Sequence, residues 1–379
     1  MTRVVLALTD PLSALLVRGQ LAYLRSRGFD VHLVTGPGEP AAGLAAAEGA
    51  THHTLPIVRD MAPGRDLRAV AAMTRLLARL RPTLVDGSTP KAGLVAMLAA
   101  TAARVPVRVH TLRGLRLETT AGARRAVLWT GHRVTCQLAH RVICVGPSLR
   151  ARAIELGVVP AGRAVVLGPG SGNGVDPAAF APARHAAAGI ALRAQLGIGN
   201  APIVAFVGRL SRDKGVGELV AAWARRRARG AQLLIVGPDD PTDPIDPSAR
   251  AAMAADGSIH ALGDRRDVGA IYAAADVVVL PSRREGLANV LLEAAAMARA
   301  TIATRIPGCV DVVTDGETGA LVAPGEVDAL AAAIDRYLDD PALRARHGAA
   351  AQARVTRDFR MSDVWVRVAD EYARLIAQR

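Results

Sequence analysis

The chain has 379 residues, more than a single hydrophobic core usually supports, so two domains of ordinary size are expected. Hydrophobic residues make up 51% and aromatics only 3%, which predicts cores of Ala, Val and Leu; scarce stacking rings and the lack of a known module exclude nucleic-acid binding despite a formal charge of +13. Three cysteines (Cys136, Cys144, Cys309) in no paired or metal-ligand spacing suit a reducing compartment, and the longest apolar block, 92–103, is too short to span a bilayer, so the chain reads as cytoplasmic, soluble or at most peripheral at the inner face of the plasma membrane.

Along the chain, strands alternate with helices. A strand at 4–9 leads to a helix over 12–27 and a second strand at 31–36. An amphipathic helix at 67–80 precedes a strand at 83–86, a buried helix at 92–103, a strand at 107–111, a helix at 124–139 and a strand at 141–145. The richest Gly/Pro/Asn stretch, 167–182, reads as a linker. Alternation resumes with strands at 203–208 and 233–237 around a helix at 217–229. A strand-like segment at 259–262 and a helix ending near 275 follow. Next come a strand at 277–280, a helix at 289–298 and a strand at 301–304. Residues 362–379 read as a closing amphipathic helix. The βα alternation predicts an α/β protein with two Rossmann-like, doubly wound parallel-sheet domains over 1–175 and 176–360, and a last helix over 361–379. Ligands in such sheets bind at the carboxyl ends of strands, so two facing domains would form a cleft. The first strand runs into Thr9-Asp10-Pro11-Leu12 with no G-x-G-x-x-G, and the glycine-rich run at 168–174 opens no helix, which disfavours a dinucleotide oxidoreductase.

Only two of the 47 basic residues are lysines, Lys91 and Lys214, in a chain whose arginine bias reads as a codon effect. An ammonium is a compact point charge and a guanidinium a planar fork, so a retained lysine marks a place where the first is needed. Both stand in loop-like motifs, Thr89-Pro90-Lys91-Ala92-Gly93 and Arg212-Asp213-Lys214-Gly215.

The segment at 276–293 carries most of the functional information. An apolar β-branched run ends in Pro281-Ser282, a short loop holds Glu285 and Gly286, and a helix opens near Asn289 with Glu293 in its first turns. A strand, a tight loop and a helix N-terminus form an anion site, because free N–H groups and the helix dipole point at it. Two carboxylates beside such a site must face another part of the ligand. A ligand with both phosphates and hydroxyls, a nucleotide sugar, satisfies both. Gly208-Arg209 closes a strand a few residues before Lys214-Gly215, so both cations could converge on one diphosphate. Gly263-Asp264 ends another strand, where a nucleobase edge could meet backbone groups.

In order, VGRL…KG, AADVVVLPS, REGLANVLLEA and IPGCVDVVTDGETGALV resemble the retaining glycosyltransferases of family 4, which adopt the two-domain GT-B fold. TPKAGL, RVHTLRGLRLE and SGNGVD in the first half resemble the CapM-like capsular-polysaccharide branch. The resemblance implies an acceptor-binding first domain, a donor-binding second domain and a last helix that crosses back to the first. It implies that Arg209 and Lys214 hold the donor diphosphate, that Glu285 faces the donor sugar and that Glu293 accepts ribose hydroxyls. Gly208, Gly263, Asp264 and the backbone of Gly286, Leu287, Ala288, Asn289 and Val290 complete the donor cradle. His110 matches a histidine near the reacting centre. Some relatives place His-Gly where this chain has Arg113-Gly114, so both positions are candidates, with Lys91 and Arg113 on the acceptor side. Retention of anomeric configuration rests on the family. No Asp-x-Asp occurs, and the basic residues could supply the phosphate counter-charge, so neither an essential metal nor another cofactor is expected.

Ten arginines against one acid, Glu118, lie between Arg104 and Arg152, which suggests an anionic acceptor or surface. A polyprenyl-diphosphate-linked saccharide at the cytoplasmic leaflet meets both demands; a solvated arginine-rich helix face and a soluble natural-product acceptor are the alternatives. A nucleotide-sugar epimerase and a non-catalytic sugar-nucleotide-binding protein are the rivals from other classes.

Overall fold

The computed structural model describes residues 1–57, 62–226 and 230–379. The chain divides into two compact units, Met1–Asn173 with Met361–Arg379, and Gly174–Arg360.

In the first unit, short Val- and Leu-rich runs pair as β1 (Thr2–Ala7), β2 (Phe29–Thr35), β3 (Thr51–Thr54), β4 (Leu84–Ser88), β5 (Val107–Leu112), β6 (Arg141–Cys144) and β7 (Ala164–Val165). They form one seven-stranded parallel sheet in the order β3-β2-β1-β4-β5-β6-β7. Helices α1 (Gln20–Ser26), α2 (Ala41–Ala47), α3 (Pro63–Leu80), α4 (Pro90–Ala102), α5 (Gly122–Leu138) and α6 (Pro147–Glu155) make the crossovers. A sheet covered on both faces needs unbroken apolar strands, and β4 is buried along its whole length, Asp86 included. The single helix expected over 12–27 is a 3₁₀ turn, Pro11–Val17, followed by α1. Asp10 caps the turn by accepting from the Ser13 N–H at 2.9 Å. The break falls at Gly19, which has φ +78° and lies so close to the Trp365 indole that a Cβ would sit 2.2 Å from the ring.

The second unit is built from α7 (Pro182–Gln195), β8 (Ile203–Val207), α8 (Val216–Arg225), β9 (Gln232–Val236), α9 (Pro247–Ala255), β10 (Ile259–Gly263), α10 (Val268–Ala274), β11 (Val277–Leu280), α11 (Asn289–Ala296), β12 (Ala300–Thr304), β13 (Gly319–Val322), α12 (Val327–Asp339) and α13 (Pro341–Asp358). Its six strands run parallel in the order β10-β9-β8-β11-β12-β13. Alternate residues of the central strands feed two apolar layers. Val204, Phe206, Val277 and Val279 join Trp223 and Leu291 on one face; Ala205, Val207 and Val278 join Tyr272 and Met297 on the other. The helix expected over 217–229 is α8; residues 227–229 lie outside those described.

The chain then returns to the first unit as α14 (Met361–Ala377). Val364, Val368, Tyr372 and Leu375 recur at helical spacing and join the core of β1, β2 and β4, each such burial contributing about 1.5–3 kcal/mol. Polar contacts fix the register. Trp365 Nε1 donates to Asn173 Oδ1 at 2.8 Å, and the Tyr372 hydroxyl donates to Asp86 Oδ2 at 2.5 Å. Among the described residues no helix is long and apolar enough to cross a membrane.

Candidate active site

Strand order puts the carboxyl ends of β8 and β11 side by side at the centre of the second sheet. The loop after β8 carries Gly208, Arg209 and Lys214, and the loop after β11 carries Ser282, Arg284 and Glu285. Gly215 makes the closeness of the two loops possible. It has φ +71°, and a Cβ would lie 2.0 Å from the Pro281 carbonyl oxygen. The Arg283 N–H donates to the Asp213 carbonyl at 2.8 Å and ties the loops together.

Lys214 and Glu285 meet directly, Nζ to Oε1, at 2.6 Å, and the Ser282 hydroxyl donates to the same Oε1 at 2.8 Å. Both charged side chains are mostly buried, so the pair is held in a low-dielectric setting where its geometry is fixed. Arg209 pairs with Asp240 and reaches Asp213 Oδ2 at 3.6 Å. Arg284 bonds the same Asp213 oxygen at 2.6 Å, and the Ser211 hydroxyl bonds Oδ1 at 2.5 Å. Burial pushes the Asp213 carboxyl up, but the Ser211 hydroxyl and the cations Arg284, Arg209 and Lys214 outweigh it and hold the group below its ordinary value. Asp213 thus stays ionised as the common anchor of the cations. The loop after β9 supplies the second anchor: Asp240 accepts from the Thr242 N–H and hydroxyl at 3.0 and 2.7 Å, and Asp243 Oδ2 accepts from the Asp213 N–H at 2.9 Å.

Residues Gly286, Leu287 and Ala288 lead into α11, whose first residues are Asn289 and Val290. The opening N–H groups of a helix lack intrahelical acceptors, and this turn follows directly on the loop that carries Glu285, the partner of Lys214. Glu293 lies one turn further along, and its Oε2 accepts from the Tyr272 hydroxyl at 2.8 Å. Burial pushes the Glu293 carboxyl up to about 7, with the Tyr272 bond pulling the other way. Gly263 and Asp264 are not drawn into this cluster. They end β10, the edge strand, where Gly263 accepts from the Gly237 N–H at 2.8 Å and Asp264 is exposed.

In the first unit His110 ends up 1% exposed on β5, with its ring packed against Gly93 of α4. Its Nδ1 donates to the Gly87 carbonyl at 2.6 Å, so the proton sits on Nδ1 and Nε2 is a lone pair, buried and without a partner among the described residues. Burial, with Arg113 nearby, lowers the His110 pKa to about 4, and the ring is neutral at pH 7. Arg113 is half-buried just past the end of β5; burial lowers its pKa, and Asp86 and Tyr372 nearby pull the other way. Asp86 itself accepts from the Thr111 N–H and hydroxyl at 3.1 and 2.7 Å as well as from Tyr372. Lys91, in the first turn of α4, pairs with Asp66 of α3 at 2.6 Å. Much of the arginine run is spent on structure. Arg108, Arg133 and Arg150 bond backbone carbonyls, while Arg141 and Arg152 pair with Glu371 and Glu118. Arg124 and Arg125 stand exposed on the first turn of α5, beside the exposed Val127.

Residues 14–170 match the family described as glycosyl transferase 4-like domain, and 201–340 match glycosyl transferases group 1. The chain is 30% identical to the capsular polysaccharide biosynthesis glycosyltransferase CapM of Staphylococcus aureus over 94% of its own length and 93% of that protein. The chain belongs to the family-4 glycosyltransferases. This glycosyltransferase is also 26% identical to a UDP-Gal:α-D-GlcNAc-diphosphoundecaprenol α-1,3-galactosyltransferase of Escherichia coli, with 84% and 83% covered. Its fold is GT-B. Anabaena HepE, solved with UDP and glucose, superposes with TM-score 0.82 at 21% identity over 98% and 100% of the two chains, and the sucrose-phosphate synthase of Thermosynechococcus elongatus with 0.83 at 24% over 100% of both.

Reading the sequence alone missed the transferase's Asp213, Asp240, Asp243, Ser282, Arg284 and Tyr272. Asp213 and Arg284 adjoin flagged residues and could have been tested as counter-charges. Asp240 comes from the loop after β9 and Tyr272 from within α10, and no local pattern announces them.

Proposed function

We propose that this glycosyltransferase moves a sugar from a UDP-sugar to a polyprenyl-diphosphate-linked saccharide during capsule or exopolysaccharide assembly, with retained anomeric configuration. The observation that carries the donor half is the joint placement of Arg209, Lys214 and the α11 N-terminus at the ends of β8 and β11. Departure of the nucleotide breaks the C1–O bond and leaves negative charge on the diphosphate, and anchored cations with oriented N–H groups stabilise that charge without reorganising. Glu285, locked by Lys214 and Ser282, faces the sugar as oxocarbenium character develops; Glu293 accepts ribose hydroxyls. The acceptor oxygen attacks the same face, and its proton passes to the departing phosphate oxygen. The two cations supply the counter-charge that a metal provides elsewhere, so no divalent ion is needed for turnover. His110, neutral with its Nε2 lone pair free, suits a hydroxyl-accepting role, and Arg113 and Lys91 supply acceptor-side charge.

The acceptor half is supported by the relatives, one capsular and one acting on a diphosphoundecaprenol-linked sugar. The exposed Arg124, Arg125 and Val127 on α5 add a basic and apolar contact suited to an anionic leaflet at the cytoplasmic face. The test is binding and hydrolysis across UDP-, GDP- and ADP-sugars, with Glu285→Gln and Lys214→Ala as controls, then transfer to polyprenyl-diphosphate sugars in vesicles against soluble acceptors. One donor turned over, with both variants impaired and an axial or equatorial anomer preserved in the product, supports the reading. Transfer only to soluble acceptors replaces the acceptor, and no nucleotide-sugar binding overturns the whole.

A further inference from the structure

We infer that Tyr272 is a positioning residue for the nucleotide ribose: its hydroxyl holds Oε2 of Glu293 so that Oε1 is presented to the sugar diol. The inference rests on the reading in which Glu293 receives the ribose hydroxyls.

Tyr272 belongs to α10, and its ring is wholly buried in the apolar layer with Ile271, Val278 and Met297, tilted against Phe180 at 6.1 Å between centroids. A phenylalanine would fill the same space. The hydroxyl is an added polar group in a dry layer, and such a group is tolerated only where it is bonded. Its partner is Glu293 Oε2, at 2.8 Å, on α11, the helix that follows β11. The phenol pKa is raised well above its usual value, by burial first and by Glu293 second, so the group stays a donor at any working pH.

The consequence lies in the geometry of the carboxylate. An ionised carboxylate offers about four lone-pair sites. With Oε2 tied to a ring that the core immobilises, the rotation of the Glu293 head group is fixed. Oε1 and the outer lone pair of Oε2 are then left to accept from two adjacent hydroxyls. A glutamate on a helix would otherwise sample several χ3 orientations and lose entropy on binding. Tyr272 moves that ordering from the binding step to the fold.

The experiment is calorimetric titration of the full chain with UDP and with 2′,3′-dideoxy-UDP, and with the corresponding GDP pair, on wild type, Tyr272→Phe and Glu293→Gln. Wild type is expected to favour the ribose form, and Tyr272→Phe to lose about tenfold of that preference, the worth of one charge-assisted bond. Its affinity for the dideoxy form should stay within about twofold of wild type, which also reports that the pocket is intact. If wild type does not discriminate the two forms, the ribose reading of Glu293 fails and the inference goes with it. If Glu293→Gln loses the preference while Tyr272→Phe keeps it, the ribose reading stands and the inference alone is overturned. Equal weakening of both ligands by Tyr272→Phe also overturns it, because packing and not positioning was then lost.

Discussion

Replacing Glu293 by glutamine should make the protein more stable and a poorer enzyme, and the gain should appear only above a defined pH. The Glu293 carboxyl is moved from an ordinary 4.5 to about 7, chiefly by burial. Its folded-state pKa is raised, so the stability it contributes is full below about 4.5, declines as the unfolded chain ionises more readily, and is lost once pH passes about 7. The displacement corresponds to about 3.5 kcal/mol at roughly 1.4 kcal/mol per pH unit, and partial exposure of the side chain trims this to about 2–3 kcal/mol. Glutamine keeps an oxygen for the Tyr272 hydroxyl and carries no charge, so it escapes the penalty. For a domain of this size the gain is about 5–10 °C in Tm at pH 8, falling to nearly nothing at pH 4.5. Calorimetric scans of both proteins at pH 4.5, 6 and 8, without nucleotide, measure the difference directly. A gap that is independent of pH, or that widens toward acid, would refute the account of Glu293 as a strained anion. Titration with UDP then gives the counterpart: the stabilised variant should bind less tightly, which marks the strain as a cost of function.

Other outcomes follow from the same geometry. Lys214→Ala should lower kcat by about 10²–10³, because one preorganised donor at the leaving group is removed; steady-state turnover of the preferred donor measures it. Gly215→Ala forces a Cβ against the Pro281 carbonyl at a left-handed φ, and should cost more than about 1 kcal/mol in stability together with most of the activity. Tyr372→Phe strips a donor from the buried Asp86 and should destabilise the first unit by about 1–3 kcal/mol while protection of β8 and β11 against hydrogen exchange is unchanged. With the His110 pKa down at about 4, the ring does not titrate near neutrality. A pH–rate step at about 6.5 that disappears in His110→Gln would contradict its neutral state.

The loops after β8 and β11 were legible because their chemistry is local. Arg209 and Lys214 sit five residues apart after one strand, and Glu285 and Glu293 flank one loop, so strand, turn and charge appear together in a short window. Their anchors were not legible. Asp240 meets Arg209, and Tyr272 meets Glu293, only because parallel pairing brings separate strand ends and helices together. The same limit shows in the fold. The long central strands stood out, whereas β3 is a polar edge strand, Thr51–Thr54, and β7 has two residues. Helices α7 and α13 are Ala- and Arg-rich, with too little contrast between faces to announce themselves. The break in the expected helix over 12–27 depends on Trp365, which no local pattern near Gly19 reveals. His110 stands out in sequence through the resemblance; that its ring packs against α4 depends on Gly93, whose lack of a side chain is visible in sequence while the approach it permits is not.

The return of α14 to the first unit makes the second unit, in effect, an insertion within the first. The first sheet lacks Val364, Val368, Tyr372 and Leu375 until everything from Gly174 to Arg360 has been synthesised, and until then the apolar flank of β1, β2 and β4 is covered only in part, by the 3₁₀ turn, α1 and α2. The second unit is continuous in sequence and free to fold as it emerges, so on the ribosome it should be finished first although its chain begins second. An isolated fragment ending at Asn173 would hold Asp86 in an apolar core without its phenol and is a poor choice for studying the first unit alone. Excision of Gly174–Arg360, with a short bridge from Asn173 to Met361, keeps every member of that core.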